Sequence, residues 1–167
     1  MRHGITVLLA LALGLAATGC IPSGPPPTPT PQPRFFDAQQ QYPTGQGPVG
    51  LAVHDFNNDG RRDVAVAARD EGIVTVALAA EDTFFPANTP YPVGPEPVDL
   101  IAVDLTGDGI RDLLAVLNDP PVIAVLPGLA GGTFGAALTF ALPAGSDPLT
   151  AVAGEFVGDA SDDVAVA

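Results

Sequence analysis

Residues 48–68 read PVGLAVHDFNNDGRRDVAVAA, and residues 97–117 read PVDLIAVDLTGDGIRDLLAVL. Each stretch is an apolar run, a short acidic bend and a second apolar run. The bends are Asp55-Phe56-Asn57-Asn58-Asp59-Gly60-Arg61-Arg62-Asp63 and Asp104-Leu105-Thr106-Gly107-Asp108-Gly109-Ile110-Arg111-Asp112. Apolar runs of four to seven residues, rich in Val, Ile and Leu and bounded by Gly, Pro and Asp, specify strands. Helix is disfavoured because no apolar run beyond the N-terminal segment reaches ten residues without a breaker. Each stretch is therefore a pair of strands joined by an acidic turn.

Working outward, the same unit recurs. Aligned on Asp55, Asp104 and Glu155, the spacings are 49 and 51 residues. A proline precedes each anchor (Pro48, Pro97, Pro148), before it a glycine (Gly45, Gly94, Gly145), and before that an aromatic (Tyr42, Tyr91, Phe140). Phenylalanines recur further back at Phe35/Phe36, Phe84/Phe85 and Phe134. Several kinds of position repeating together define a true internal repeat. Strands are expected at Val49–Val53, Val64–Ala68, Ile73–Ala79 and Tyr91–Val93. The second unit repeats them at Val98–Val103, Leu113–Leu117, Val122–Leu126 and Leu138–Leu142. Four strands per fifty-residue unit is the pattern of a β-propeller blade, so the fold class is all-β. Phe35–Tyr42 reads as an outer strand, and the third unit reaches its second strand at Asp163–Ala167. About two and a half blades do not close a ring of four to eight, so the sequence reads as a fragment of a larger propeller.

The bends carry the chemistry. Oxygen-bearing side chains stand at positions 1, 3, 5 and 9, as Asp55, Asn57, Asp59 and Asp63 and again as Asp104, Thr106, Asp108 and Asp112. Position 7, Arg61 or Ile110, offers its backbone carbonyl. Five hard oxygens about one point suit Ca²⁺, and the set is too loose for the strict octahedron of Mg²⁺. Glycine at position 6 (Gly60, Gly109) permits the positive φ that turns both ends of the bend inward. An EF-hand is excluded, because its bidentate glutamate at position 12 is replaced by Val66, Ala115 or Val166 and the flanks are strands. Asx-turns, in which an aspartate bonds its own backbone, account for one or two acids per bend but not three at fixed spacing. The third bend is degraded: Val157 takes position 3 and Ala160 position 6, while Glu155, Asp159 and Asp163 remain.

The D-x-N-x-D-G-x-x-D-V pattern, with its preceding P-V-x-L-A-V strand and recurring phenylalanine, resembles the FG-GAP/VCBS repeat family, the blades of integrin-α-like propellers. The resemblance spans about Phe35 to Ala167 and is specific in the first two units. It implies a propeller with Ca²⁺ in the loop joining the first two strands of a blade. Carried over by position, the ligands would be Asp55, Asn57, Asp59, the Arg61 carbonyl and Asp63, then Asp104, Thr106, Asp108, the Ile110 carbonyl and Asp112. In the third unit Glu155, Asp159 and Asp163 are carried over. An ion in an extracellular module of this type is expected to be structural.

The N-terminus reads as an address. Met1-Arg2-His3 is a short positive region, and Ile5 to Ala17 is an apolar run too short to span a bilayer as a helix. It ends in Ala17-Thr18-Gly19-Cys20, which resembles the lipobox of bacterial lipoproteins, although leucine is usual where Ala17 stands. Residues 1–19 are thus expected to be a signal peptide and Cys20, the sole cysteine, the lipidated residue. Residues 21–33, IPSGPPPTPTPQP, form a stiff extended spacer. Cys20 and this spacer make up a linker over residues 20–33, and the repeats occupy 34–167.

The whole chain bears nineteen acids against six basic residues, all arginine, for a net charge of −13. Such a surface repels phosphate backbones and anionic lipid headgroups, which argues against nucleic-acid partners and leaves the N-terminal lipid as the membrane contact. Catalytic inventory is thin. His54 abuts a bend, no serine lies in a G-x-S-x-G context, and no zinc spacing or phosphate-binding glycine loop occurs. A non-enzymatic, calcium-stiffened module at the cell surface, binding or scaffolding an extracellular protein or glycan, is the expected function. The alternative is an accessory or partial domain of a larger secreted polysaccharide- or lipid-acting enzyme; fold alone does not separate the two.

Overall fold

The computed structural model describes residues 42–81, 88–158 and 162–167, and its described part is all-β. The expected signal peptide, Cys20, the proline-rich residues 21–33, the strand expected from Phe35, the phenylalanines Phe84 and Phe85 and the stretch from Asp159 to Ser161 lie outside the described residues.

The first unit is a four-stranded antiparallel sheet in the order β1 (Pro48–His54), β2 (Asp63–Ala68), β3 (Ile73–Ala77), β4 (Asn88–Pro92). The second repeats it with β5 (Pro97–Val103), β6 (Asp112–Leu117), β7 (Val122–Leu126) and an outer strand at Leu138–Ala141. Before that outer strand, which is β10, a small hairpin intervenes: β8 (Gly128–Leu129) and β9 (Thr133–Phe134). The third unit contributes β11 (Ala151–Gly154) paired with β12 (Asp163–Val166). These are propeller-like blades. The bulges recur as well: register shifts fall between Pro48 and Gly50 and between Pro97 and Asp99. A proline opening a strand donates no ladder bond, and the bulge beside it absorbs the offset.

The central strand of the second unit is buried on both faces because a unit lies on each side of it. All six residues of β6, DLLAVL, are buried. Leu113, Ala115 and Leu117 join one core cluster with Ala52, Ala65 and Ala67 of the first blade. Leu114 and Val116 look the other way, into a cluster with Ala151, Val164 and Val166 of the third unit. Large residues of blade 2 meet small ones of blade 1, which lets the sheets approach closely. A Cβ on Gly50 would come within 2.7 Å of the Leu100 backbone nitrogen.

Two boundaries differ from the sequence reading by more than one residue. Strand β3 ends at Ala77 rather than Ala79, since the Ala79 amide is diverted to the Asp63 carboxylate. Strand β4 begins at Asn88, three residues before Tyr91, because Asn88, Thr89 and Pro90 pair with Ala77, Val76 and Thr75 on main-chain geometry without an apolar signal. The short β8–β9 hairpin was not expected either. It delivers Phe134, 7% exposed, edge-on to Phe56 and Tyr91 at ring-centroid distances of 5.5 Å each. One recurring phenylalanine thus ties the rim of blade 2 to the first acidic bend and outer strand of blade 1.

Candidate metal-binding loops

The bends joining β1 to β2 and β5 to β6 share a wiring plan, in which the first aspartate accepts amides of the turn and the fifth accepts the amide two residues on. In the first, Asp55 accepts from the amides of Asp59 (3.0 Å) and Gly60 (2.7 Å) through its two oxygens. The Asp59 amide also donates to the Asn57 side-chain oxygen at 3.0 Å, so oxygens from positions 1 and 3 converge on one point. Asn57 in turn donates to Asp59 Oδ2 at 2.8 Å, and Asp59 Oδ1 accepts from the Arg61 amide at 2.9 Å. In the second bend Asp104 accepts from the amides of Gly107 (2.7 Å) and Gly109 (2.9 Å), and Asp108 from that of Ile110 (2.8 Å). The Thr106 hydroxyl lies 3.5 Å from Asp104 Oδ1.

The turn needs left-handed backbone at two places. Gly60 and Gly109 at position 6 have φ of 86° and 83°. Position 4 is left-handed too, as Asn58 (58°), Gly107 (71°) and Gly158 (82°). The sequence signal was there to read, since Asn and Gly are the residues that tolerate this region.

Position 9 does something separate. Asp63 is fully buried and Asp112 is 1% exposed. Asp63 accepts from Phe56 N and Ala79 N, both at 2.8 Å. Asp112 accepts from Leu105 N (3.0 Å) and Gly128 N (2.7 Å). Each buried carboxylate therefore fastens its bend to the second residue past the third strand of the blade. In the third unit Asp163 Oδ2 accepts from Phe156 N (2.7 Å) and Val157 N (3.0 Å). Glu155 is exposed, and Asp159 lies outside the described residues.

Electrostatics follow the donors. The Arg61 amide, more than any other contact, holds Asp59 below the usual carboxylate range. Partial desolvation pushes Asp104 upward, but amides of Gly109, Gly107 and Asp108 outweigh it and leave its carboxyl low. Desolvation, followed by the nearby Arg111 and Arg62 charges, lowers His54. The two bends differ in one respect. Arg61 places its guanidinium 2.7 Å from Asp59 Oδ2, whereas Ile110 puts no charge beside Asp108.

Two links between units lay outside the sequence reading. Asp162, at position 8 of the third bend, meets Arg111 at 2.7 Å and accepts from the Asp104 amide at 3.2 Å. Asp99 Oδ2 accepts from the Thr150 hydroxyl (2.8 Å) and the Ala151 amide (3.0 Å). The opposite charges of Arg111 and Asp162 at the same repeat position were the available signal.

The repeated wiring and the buried position-9 acid define a specific local motif. Residues 55–115 match the FG-GAP-like repeat. The match runs from the first bend of one FG-GAP-like unit, through the inner strand of the next, into β6. No curated protein matches the chain.

The donor chemistry of both complete bends fits a calcium ion. Carboxylate, amide, hydroxyl and carbonyl oxygens are hard donors, and an oxygen that accepts one amide proton keeps a second lone pair. Among the described residues no three His, Cys, Asp or Glu side chains converge into a ready cage. A site here would draw on mixed donors: two carboxylates at positions 1 and 5, Asn57 or Thr106 at 3, a carbonyl at 7, and the spare lone pairs of position 9.

Proposed function

We propose that this chain is a non-catalytic, calcium-stiffened binding or scaffolding module, exported and held at the cell envelope through a lipid on Cys20. The observation that carries the calcium part is the convergence of side-chain oxygens from positions 1 and 3 on a single amide in the first bend, whose spacing of oxygen-bearing residues recurs 49 residues later. Asp55, Asn57, Asp59, Asp63 and the Arg61 carbonyl would hold one ion, and Asp104, Thr106, Asp108, Asp112 and the Ile110 carbonyl a second. The ion supplies positive charge to carboxylates that otherwise repel one another across an exposed turn. It performs no bond-making, and its role is to fix the loops that a partner meets. An extracellular protein or glycan is the partner class compatible with so acidic a surface.

The third bend lacks a side-chain oxygen at position 3 and glycine at position 6, so two ions per chain are expected. Titration calorimetry of the chain with CaCl₂ should give two sites in the range of extracellular modules, about 10⁻⁴–10⁻³ M. Asp108→Ala should leave one. No calcium heat in the parent chain, or unchanged stoichiometry in the variant, overturns the reading.

A further inference from the structure

We infer that the first bend is completed by the second blade: the β8–β9 hairpin positions Asn57, the donor at position 3, and Gly132 and Phe134 are the residues through which it does so.

The contacts run from one blade to the other. Gly132 is buried at the tip of the hairpin, and a Cβ there would lie 3.1 Å from the Asn57 Cβ and 2.8 Å from Leu78 Cδ2. Two residues on, Phe134 stands edge-on to Phe56 at 5.5 Å, and its amide donates to the Tyr91 hydroxyl at 3.3 Å. Phe56 is buried and is the residue between Asp55 and Asn57. A ring from blade 2 therefore packs on position 2 of the bend, and the tip beside that ring packs on position 3. The base of the hairpin is fixed as well. Gly128 pairs with Phe134, its amide donates to Asp112 at 2.7 Å, and the Gly135 amide donates to the Pro127 carbonyl at 2.8 Å.

Asn57 is the residue through which this packing reaches the exposed oxygens. Its side-chain oxygen accepts the Asp59 amide at 3.0 Å and its side-chain nitrogen donates to Asp59 Oδ2 at 2.8 Å, so a shift of Asn57 moves the donors of positions 3 and 5 together. Rotation about side-chain bonds cannot carry a Cβ out of the way; the Leu78 tip can swing aside, but the Asn57 Cβ moves only with its backbone. The consequence for calcium rests on the function proposed above, whereas the placement of Asn57 does not. Groups that orient a metal ligand without touching the metal typically govern affinity by about 10–100-fold. Two adjacent glycines allow the effect to be isolated. Gly131 and Gly132 have φ of 78° and 74°, so alanine meets the same left-handed backbone cost at either, but nothing lies within 4 Å of a Cβ on Gly131.

The test compares Gly132→Ala with Gly131→Ala in the full chain. In EGTA, amide hydrogen exchange followed by NMR should show the Asp59 amide exchanging about two- to tenfold faster in Gly132→Ala than in Gly131→Ala, the worth of one hydrogen bond. With Asp108→Ala present to leave the first bend as the ion site, calorimetry should show calcium held about tenfold more weakly in Gly132→Ala than in Gly131→Ala. Phe134→Leu keeps an apolar side chain against Phe56 without the ring edge and without a change at the left-handed glycines. It should speed exchange of the Asp59 amide by a smaller factor, and it decides the matter should Gly132→Ala not fold: an Asp59 amide unchanged in Phe134→Leu then overturns the inference. Equal Asp59 exchange in the two glycine variants, or equal calcium constants where both bind the ion, overturns it too. An exchange difference in a chain that takes up no calcium supports the placement of Asn57 and overturns the calcium reading alone.

Discussion

Replacing Asp112 with alanine separates the position-9 acid from the ion. Asp112 is 1% exposed and accepts two main-chain amides, Leu105 N at 3.0 Å and Gly128 N at 2.7 Å. Alanine leaves both donors without a partner in a water-poor interior, at about 1–3 kcal/mol each. Removing a desolvated carboxylate returns part of that, so the net loss is expected toward the lower end, about 3 kcal/mol. Against a total stability of about 5–15 kcal/mol this is a large fraction, worth roughly 10 °C or more in Tm. Urea unfolding in excess EGTA is the appropriate assay, because the effect is predicted without calcium. Asp108→Ala is the internal control: Asp108 is exposed and accepts only the Ile110 amide, so its loss without calcium should stay under about 1 kcal/mol. Asp112→Asn keeps one acceptor oxygen and should fall between the two. Equal losses for Asp112→Ala and Asp108→Ala, or a loss below about 1 kcal/mol for the former, would refute the brace.

The other predictions are shorter. Arg61→Ala frees Asp59 of its competing guanidinium and should tighten calcium at the first bend by up to about fivefold, the worth of an exposed ion pair, with the second bend unchanged by calorimetry. Gly50→Ala puts a Cβ 2.7 Å from the Leu100 nitrogen and should destabilise by about 1–3 kcal/mol, whereas the space at Gly109 is open and alanine there should lose only the cost of its left-handed backbone, about 1–2 kcal/mol; denaturant melts compare them. Asp59 and Asp104 have folded-state pKa values depressed below 3.8, so the stability they contribute is present above about pH 4 and is lost as pH falls through their folded values. His54 is also lowered, so the folded state resists its protonation and stability should slip as pH falls below its ordinary value near 6.5; in EGTA, His54→Asn should flatten the slope between pH 7 and 5 and leave the steeper acid limb.

Strand identity and order were legible because breakers isolate short apolar runs and because the unit repeats. Legibility failed where main-chain pairing carried a segment without apolar side chains, as at Asn88–Pro90, and where two residues sufficed to make a strand, as at Thr133–Phe134. The bends were legible as oxygen clusters, since spacing alone marks them. Their internal division was not. Nothing in the letters distinguishes Asp108, exposed at the tip, from Asp112, sealed under the blade; only the packing of β6 between two sheets decides it. Links such as Asp99 to Ala151 are invisible for the same reason: the partner lies 52 residues away, and the contact exists only once the inner strands lie side by side.

The third unit shows which duty of the acidic pattern the fold itself requires. It has lost the oxygen at position 3 to Val157 and the glycine at position 6 to Ala160, two features a calcium loop uses. It keeps Asp163, and that carboxylate still accepts two amides of its own bend. A position-9 aspartate is therefore explained by main-chain donors without any ion, while the side chains at positions 3 and 5 bond only within the exposed part of the bend. The two duties reinforce each other. A bend already fastened at its ninth residue and wired by amides at its first has little freedom left to lose when an ion arrives. On the proposed reading, calcium would complete the stiffening of a bend that is already fastened, by neutralising the carboxylates at its exposed tip.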